Sequence, residues 1–535
     1  MSKPNGFLRG WVSCLVGVVI GAACLAATPG AAQEFRMAMS SPPTSLDPHF
    51  QNITSNANVL EHMFEPLVSR DADGKLVPGL AESWRMIDAL TWEFSIRKGA
   101  KFSDGSDVTA GDVIYSLDRP AGIRNSPASF TLFTKAIVAK KGVDVHTVRL
   151  TTGQPSPLLL SDLTSLLIVS KRATEGLASD EFAAGRGMVG SGPYRFVKFL
   201  RDDRIEMARS ETYNGPNGSP WSTVTIRFIS NPSSRLAALL AGDVQAIENV
   251  PPPDVARVRN DAHLTLVTKT SYRVVFLFAD WRDKSPFVTD ASGAVLARNP
   301  LKDVRVRRAL SMAINRDAIR ERVMDGLSES TENLAAPGAS GWNPALTPVT
   351  FDPDGARKLL AGAGYPNGFR LTLHGPNNRL VNDEKVAQAI AQMFARAGVE
   401  TKVETMPMAV FAPRGGRHEF SVALIGWGNA NDVTNALRAL IACEDPATGM
   451  GVVNWSQYCN PAVDALLVKA LATLDDGVRA RLLEEAAALV SNDVALIPLY
   501  FQVSAWAVRK GIRYSGRGDE RTYAFNFKPA SAPGH

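Results

Sequence analysis

The sequence predicts an α/β fold built from more than one lobe, and three features carry that expectation. The chain has 535 residues, 45% hydrophobic and 21% charged, a composition that builds folded cores rather than a disordered chain. Its first half is rich in short strand-like runs, and from about residue 300 helices alternate with strands. One stretch there has the strand, helix, strand order of a right-handed crossover between parallel strands. A chain of this length exceeds what a single core usually serves, so two or three lobes are expected.

Taken in order, the N-terminus comes first. Lys3 and Arg9 precede an apolar run from Trp11 to Ala27, followed by Thr28, Pro29, Gly30, Ala31 and Ala32. This is the charged, apolar, small-residue order of a secretory signal, with cleavage expected after Ala32. The run is short for a membrane span and is broken by Ser13 and several glycines. Lipid attachment at Cys24 is a lesser alternative, because Gly21-Ala22-Ala23-Cys24 lacks the leucine that usually opens such a site. Lys and Arg total 58 against 53 acids, and Lys3 and Arg9 are the only charges in the leader, so the mature chain keeps +3. That balance gives no footprint for nucleic acid. Cys14 and Cys24 leave with the leader, and Cys443 and Cys459 remain as an even pair with fifteen residues between them. In an oxidising compartment they are expected to form a disulfide, with two buried thiols as the alternative.

Residues 34–39 alternate as a strand and run into the turn-rich Ser40-Ser41-Pro42-Pro43-Thr44. Further strands are expected at 92–96, 194–199, 223–229 and 272–278. Thr109 and Asp112 form a capping box for a short helix carrying Val113, Ile114 and Leu117. Asp352 and Pro353 suit the cap and first turn of a helix that ends at Gly364. The crossover unit follows: a strand at 371–374, a helix at 383–397 with Val386, Ile390, Met393 and Phe394 on one face, Gly398 as its stop, and a strand through Val399, Thr401 and Val403. Phe420 to Ile425 adds another strand.

Open α/β sheets bind ligands beyond the carboxyl ends of their strands. Two loops hold that position here, Gly375 to Leu380 and Gly426 to Asp432, and both are expected to face one cleft. No other pattern points to chemistry. Gly185, Gly187 and Gly190 precede a strand instead of following one, which rejects a dinucleotide fingerprint. There is no nucleophile elbow, zinc-protease pair or phosphate loop, and no helical pair of histidines, so neither metal, cofactor nor catalytic residue is expected. His374 and His418 near the expected cleft read as ordinary polar residues.

Several motifs then give a family resemblance. Leu80 to Trp84, Thr91 to Gly99, Lys101 to Gly105 and Val108 to Val113 closely resemble the signature of the dipeptide/oligopeptide/nickel-binding family, the extracellular solute-binding proteins of ABC importers. Gly190 to Tyr194, Asp303 to Ala309, Ala313 to Arg316, Ala363 to Pro366, and Asn460-Pro461 with Asp464 extend the match over almost the whole mature chain.

The resemblance implies a two-lobe periplasmic-binding-protein-like fold with a ligand cleft between lobes. Lobe I would comprise 33–271 plus 498–535, with an inserted subdomain near 60–189, and lobe II 272–497. It implies a monomeric periplasmic protein that captures a short peptide or peptide-like solute and delivers it to permease subunits at the membrane. A non-peptide solute, such as an opine, sugar or metal chelate, stays open, as does an exported hydrolase on the same scaffold. Ligand contacts are implied at Ser41, Pro42 and Pro43, at Arg379 and Leu380, and at Trp427, Gly428, Asn429 and Asp432. Arg379 would pair with a ligand carboxylate in bidentate fashion. The family's ammonium-binding aspartate corresponds to Ala430, and Asp432, two residues on, either replaces it or caps a helix. Without a carboxylate, an ammonium there would be desolvated without a counter-charge.

Overall fold

A computed structural model describes residues 33–218, 220–429 and 432–530. The expected leader, with Cys14 and Cys24, lies outside the described residues, as does Ala430. A mixed sheet of twelve strands organises the molecule. Two long antiparallel strands, Leu264–Ala279 and Leu496–Arg509, stand side by side at its middle and join its two halves. On one side lie Ala246–Ile247, Glu34–Met39, Thr223–Phe228, Arg204–Arg209 and Tyr194–Leu200. On the other lie Val422–Gly428, Phe369–Pro376 and Val288–Thr289, with Val399–Met406 also pairing with Phe369–Pro376. The pairing of the two long strands shifts register between Thr270 and Val274 and again between Val275 and Phe276.

The long strand at 264–279 shows why the second half needs an unbroken apolar run. Val274, Phe276 and Phe278 enter one core cluster while Val275, Leu277 and Ala279 enter another on the opposite face. Alternation directs successive side chains to opposite faces, and here helices cover both. The crossover unit forms as expected: Phe369–Pro376 and Val399–Met406 are parallel, joined by the helix Asp383–Arg396, whose Val386, Ile390 and Phe394 are fully buried. Gly398 follows with φ 95°, the left-handed stop that glycine adopts at least cost.

A separate four-stranded antiparallel sheet is built from Ala81–Met86, Thr91–Ile96, Thr147–Thr152 and Ile137–Asp144, and it shares a core with residues 67–168. The Thr109 capping box is present over the helix Ala110–Asp118. Gly190 and Gly192 pass close against the backbone of His62 and Met63. A Cβ on Gly190 would stand 1.9 Å from the Met63 carbonyl oxygen, so that motif serves close packing. The Cys443–Cys459 disulfide is formed.

The expected strand at 420–425 is displaced. It spans Val422–Gly428, so Gly426, Trp427 and Gly428 belong to the ladder, each paired with a residue of the long strand from Arg273 to Val275. The strand at 369–376 likewise absorbs Gly375 and Pro376, which shortens the loop to 377–382.

Candidate functional site

A cavity of about 620 Å³ opens between the two halves of the sheet, within the range of about 300–1,000 Å³ typical of small-molecule sites. One wall is the hairpin Val68–Arg70 and Leu76–Pro78 with Glu61 and Glu65. The facing wall is Tyr272 and Arg273 of the long strand with Gly428 and Asn429. The C-terminal segment from Ser515 to Lys528 runs along it. That segment ties the walls together: the Gly518 amide donates to the Ala72 carbonyl at 3.0 Å, and the Tyr272 amide donates to the Gly518 carbonyl at 2.8 Å. A Cβ at Gly518 would stand 2.5 Å from the Tyr272 ring, so the crossing needs a glycine. Arg517 adds donors to the carbonyls of Arg70 and Asp71 at 3.2 and 3.0 Å.

The electrostatic centre of the site is a triad of charges. Arg273 donates to the Glu520 carboxylate from Nε and Nη2, the shorter contact being 2.8 Å, and Gln502 donates to the same carboxylate at 3.1 Å. Burial alone would push Glu520 up, but Arg273, Ser271 and Arg379 together hold it below its ordinary value. Arg379 is the surplus charge. The like charge of Arg273 comes first among the causes that push Arg379 below the usual arginine value, then burial, with Glu520 opposing both. Among the described residues its guanidinium has no hydrogen-bond or ion-pair partner. Two guanidiniums around one carboxylate leave a net positive charge, the arrangement that recruits an anion.

The expected residues separate into three groups. Gly428 and Asn429 line the cavity, whereas Arg379 is exposed and outside its lining, linked to it only by the charge interaction with Arg273, which lines it, and with Glu520. Trp427 packs against the core beside them, its indole N–H unpartnered among the described residues. Leu380 is a core residue: it is buried, and a Cβ on Gly426 would stand 2.6 Å from its methyl group. Pro43 lines a different hollow of about 550 Å³, together with Leu46, Phe50 and Leu177, and neither Ser41 nor Pro42 lines the cleft cavity. Asp432 is committed elsewhere: one carboxylate oxygen accepts from the Thr434 amide at 2.7 Å and the other pairs with Arg479. His374 lies buried between Phe287 and Phe420, and burial pushes it down to about 4.

Sequence reasoning missed Arg273, Glu520, Arg70 and Lys528. Arg273 carried a usable signal, a lone arginine inside the apolar run Tyr272 to Ala279. Glu520 sits in the charge-dense Arg517-Gly518-Asp519-Glu520-Arg521, which reads as a solvated loop until its distant partner is seen.

Comparison with known proteins places this architecture. The dipeptide-binding protein of Escherichia coli K12 is 28% identical over 485 residues, covering 84% of this chain and 86% of that protein. Di/tripeptide-binding protein 1 of Pseudomonas aeruginosa UCBPP-PA14 is 26% identical over 546 residues, covering 95% and 96%. Among solved structures, the binding protein AgaA from A. tumefaciens R10 in complex with agropinic acid matches with a TM-score of 0.73 at 24% identity, covering 94% of this chain and 99% of AgaA. The Helicobacter pylori DppA in complex with the peptide STSA matches with a TM-score of 0.73 at 23% identity, covering 93% and 98%. These structural matches establish the shared fold. The family model described as Bacterial extracellular solute-binding proteins, family 5 Middle, matches residues 75–446, and this chain belongs to that family.

Proposed function

We propose that this protein is the periplasmic solute-binding component of an ABC importer, and that it captures a short peptide or peptide-like anion in the cleft and passes it unaltered to a permease. The observation that carries this reading is a surplus of positive charge next to a cavity shared by both halves of the molecule: Arg273 lines the cavity and is held by Glu520, and the exposed Arg379, without a partner among the described residues, lies close enough to feel both charges. A ligand carboxylate there would turn a repulsive pair of arginines into a closed set of charge-assisted hydrogen bonds. The relatives that bind dipeptides and di- or tripeptides support the solute class.

The lobe limits proposed with this function are 33–271 plus 498–535 and 272–497, with the insertion near 60–189. The register shifts at 270–276, and core clusters that largely keep to one side of them, favour that division. Closure of two such bodies on a solute is the motion that this family of folds uses. Export with cleavage after Ala32 belongs to the same reading and is checked by N-terminal sequencing of the secreted protein.

Native mass spectrometry of protein purified without refolding tests the whole proposal. The expected result is a co-purified small anion that leaves unmodified on denaturation. A ligand consumed over time would favour an enzyme instead. Arg379→Ala that binds the recovered ligand as tightly as wild type would remove the anchor.

A further inference from the structure

The cleft carries more information about its ligand than one arginine. Resting on the solute-binding reading above, we infer that it selects acidic peptide-like compounds whose nitrogen end is an amide rather than a free ammonium, N-acylated peptides with two or more carboxylates being the chemical class.

The first observation concerns Asn429. It is only 5% exposed, it lines the cavity, and its Nδ2 donates to the Leu334 carbonyl at 2.8 Å. Among the described residues its Oδ1 has no donor, and it is closed off from solvent. A buried carbonyl oxygen left unmade costs about 1–3 kcal/mol, so a ligand N–H seated against Asn429 would relieve that cost if the side chain turned its oxygen toward the cavity. A neutral acceptor satisfies an amide N–H fully, whereas it leaves an ammonium without a counter-charge.

The second observation is the distribution of carboxylates. Glu61 is held by Arg521 and Tyr523, Glu65 by Arg97, Asp519 by Arg517 and Glu520 by Arg273. Asp432, at the third loop, is held by Arg479. Among the described residues Asp71 is the one lining acid with no arginine or lysine on its carboxylate, and its Oδ1 already accepts the amides of Asp73 and Lys75, both at 2.9 Å.

Cations are distributed the opposite way. Arg70 and Lys528 line the cavity without a carboxylate partner among the described residues. Arg70 donates only to Thr164, Ser161 and the Gly74 carbonyl. Of the acids facing it, Asp519 and Asp432 are already paired, and Asp162 is pushed up to about 7 by burial. These leave two lining cations without a carboxylate, with the exposed Arg379 outside the lining, against one partly used acid, which matches a polyanion with a capped amine.

The test uses the mature protein after ligand removal and a pooled library of acidic di- and tripeptides, presented free, N-acetylated, or N-acetylated with all carboxyls amidated. Native mass spectrometry reads enrichment and titration calorimetry the affinity of the enriched members. The N-acetylated pool is expected to bind at least about tenfold tighter than the free pool, and the amidated pool not to bind. Lys528→Gln and Arg70→Gln should each weaken the acetylated ligand about tenfold or more, and Asn429→Asp should shift preference toward the free peptides. Equal or tighter binding of the free pool would overturn the inference while leaving the solute-binding reading intact. So would Asp71→Asn selectively weakening free peptides, which would make Asp71 the partner of an ammonium. Failure of all three pools to bind would also overturn the inference, while the solute-binding reading is decided separately by the co-purified ligand.

Discussion

Two of the arginines that meet buried carboxylates do so with opposite outcomes. In the first half, Arg119 grips Asp47 through both Nη atoms at 2.6 and 2.9 Å, with both side chains almost wholly removed from solvent. Ser179 and the His49 amide complete the shell of Asp47. In the cleft, Arg273 grips Glu520 through Nε and Nη2, but Arg379 stands near them with no acid of its own among the described residues. A closed pair serves folding, because each charge has its neutralising partner before any ligand arrives. An open set serves recognition, because its last partner must come from outside.

The difference can be broken from the structural side first. Asp47→Ala should remove about 3–5 kcal/mol of stability in urea unfolding, the cost of leaving a buried arginine unpaired. The same experiment on Arg379→Ala should leave stability unchanged or slightly raised, since it removes a like-charge neighbour of Arg273. Next in size is the disulfide: replacing Cys443 and Cys459 together by serine should cost about 3 kcal/mol, the loop-entropy value for a closure of this length. An unchanged unfolding midpoint would count against it.

Acid should separate the closed region from the open one as well. His49 and His62, both fully buried in the first half, are pushed down to about 4, chiefly by burial. The unfolded chain takes up those protons below about 6.5. Their contribution is therefore complete above pH 6.5 and lost as the pH falls toward 4. At pH 5 the loss should be about 2 kcal/mol per histidine. Unfolding free energy flat between pH 7.5 and 5 would contradict this. The largest effect on function is expected from Arg379→Ala, with affinity falling about 10- to 100-fold, as for losing a charged hydrogen bond. The smallest is from Pro43→Ala, which lines the separate hollow and should alter affinity by less than about twofold.

Much of the second half was legible because its elements obey one period each. The helix Asp383–Arg396 repeats its apolar residues at helical spacing, and its flanking strands are bounded by Gly364, Gly368 and Gly398. The strand ending at Gly428 was placed short because Gly426, Trp427 and Gly428 look like loop residues. Glycine is tolerated there because Leu380 fills the space a Cβ would need at Gly426. The site was legible only where its residues follow strand ends, as Arg379 and Asn429 do. Arg273 and Glu520 are 247 positions apart, and no local pattern reports a pairing at that range. Asp432 misled for a related reason, since its partner Arg479 is on the remote helix Asp476–Asn492.

The two long central strands have one more consequence. Because a single hydrogen-bonded ladder runs from one body into the other, neither can slide or detach without rupturing many backbone bonds at once. Flexing is cheapest where pairing is already interrupted, across the few residues from Thr270 to Phe276. Tyr272 and Arg273 sit within that interruption and also line the cavity, so under the proposed function the residues that greet the guest would also form the joint about which the jaws turn.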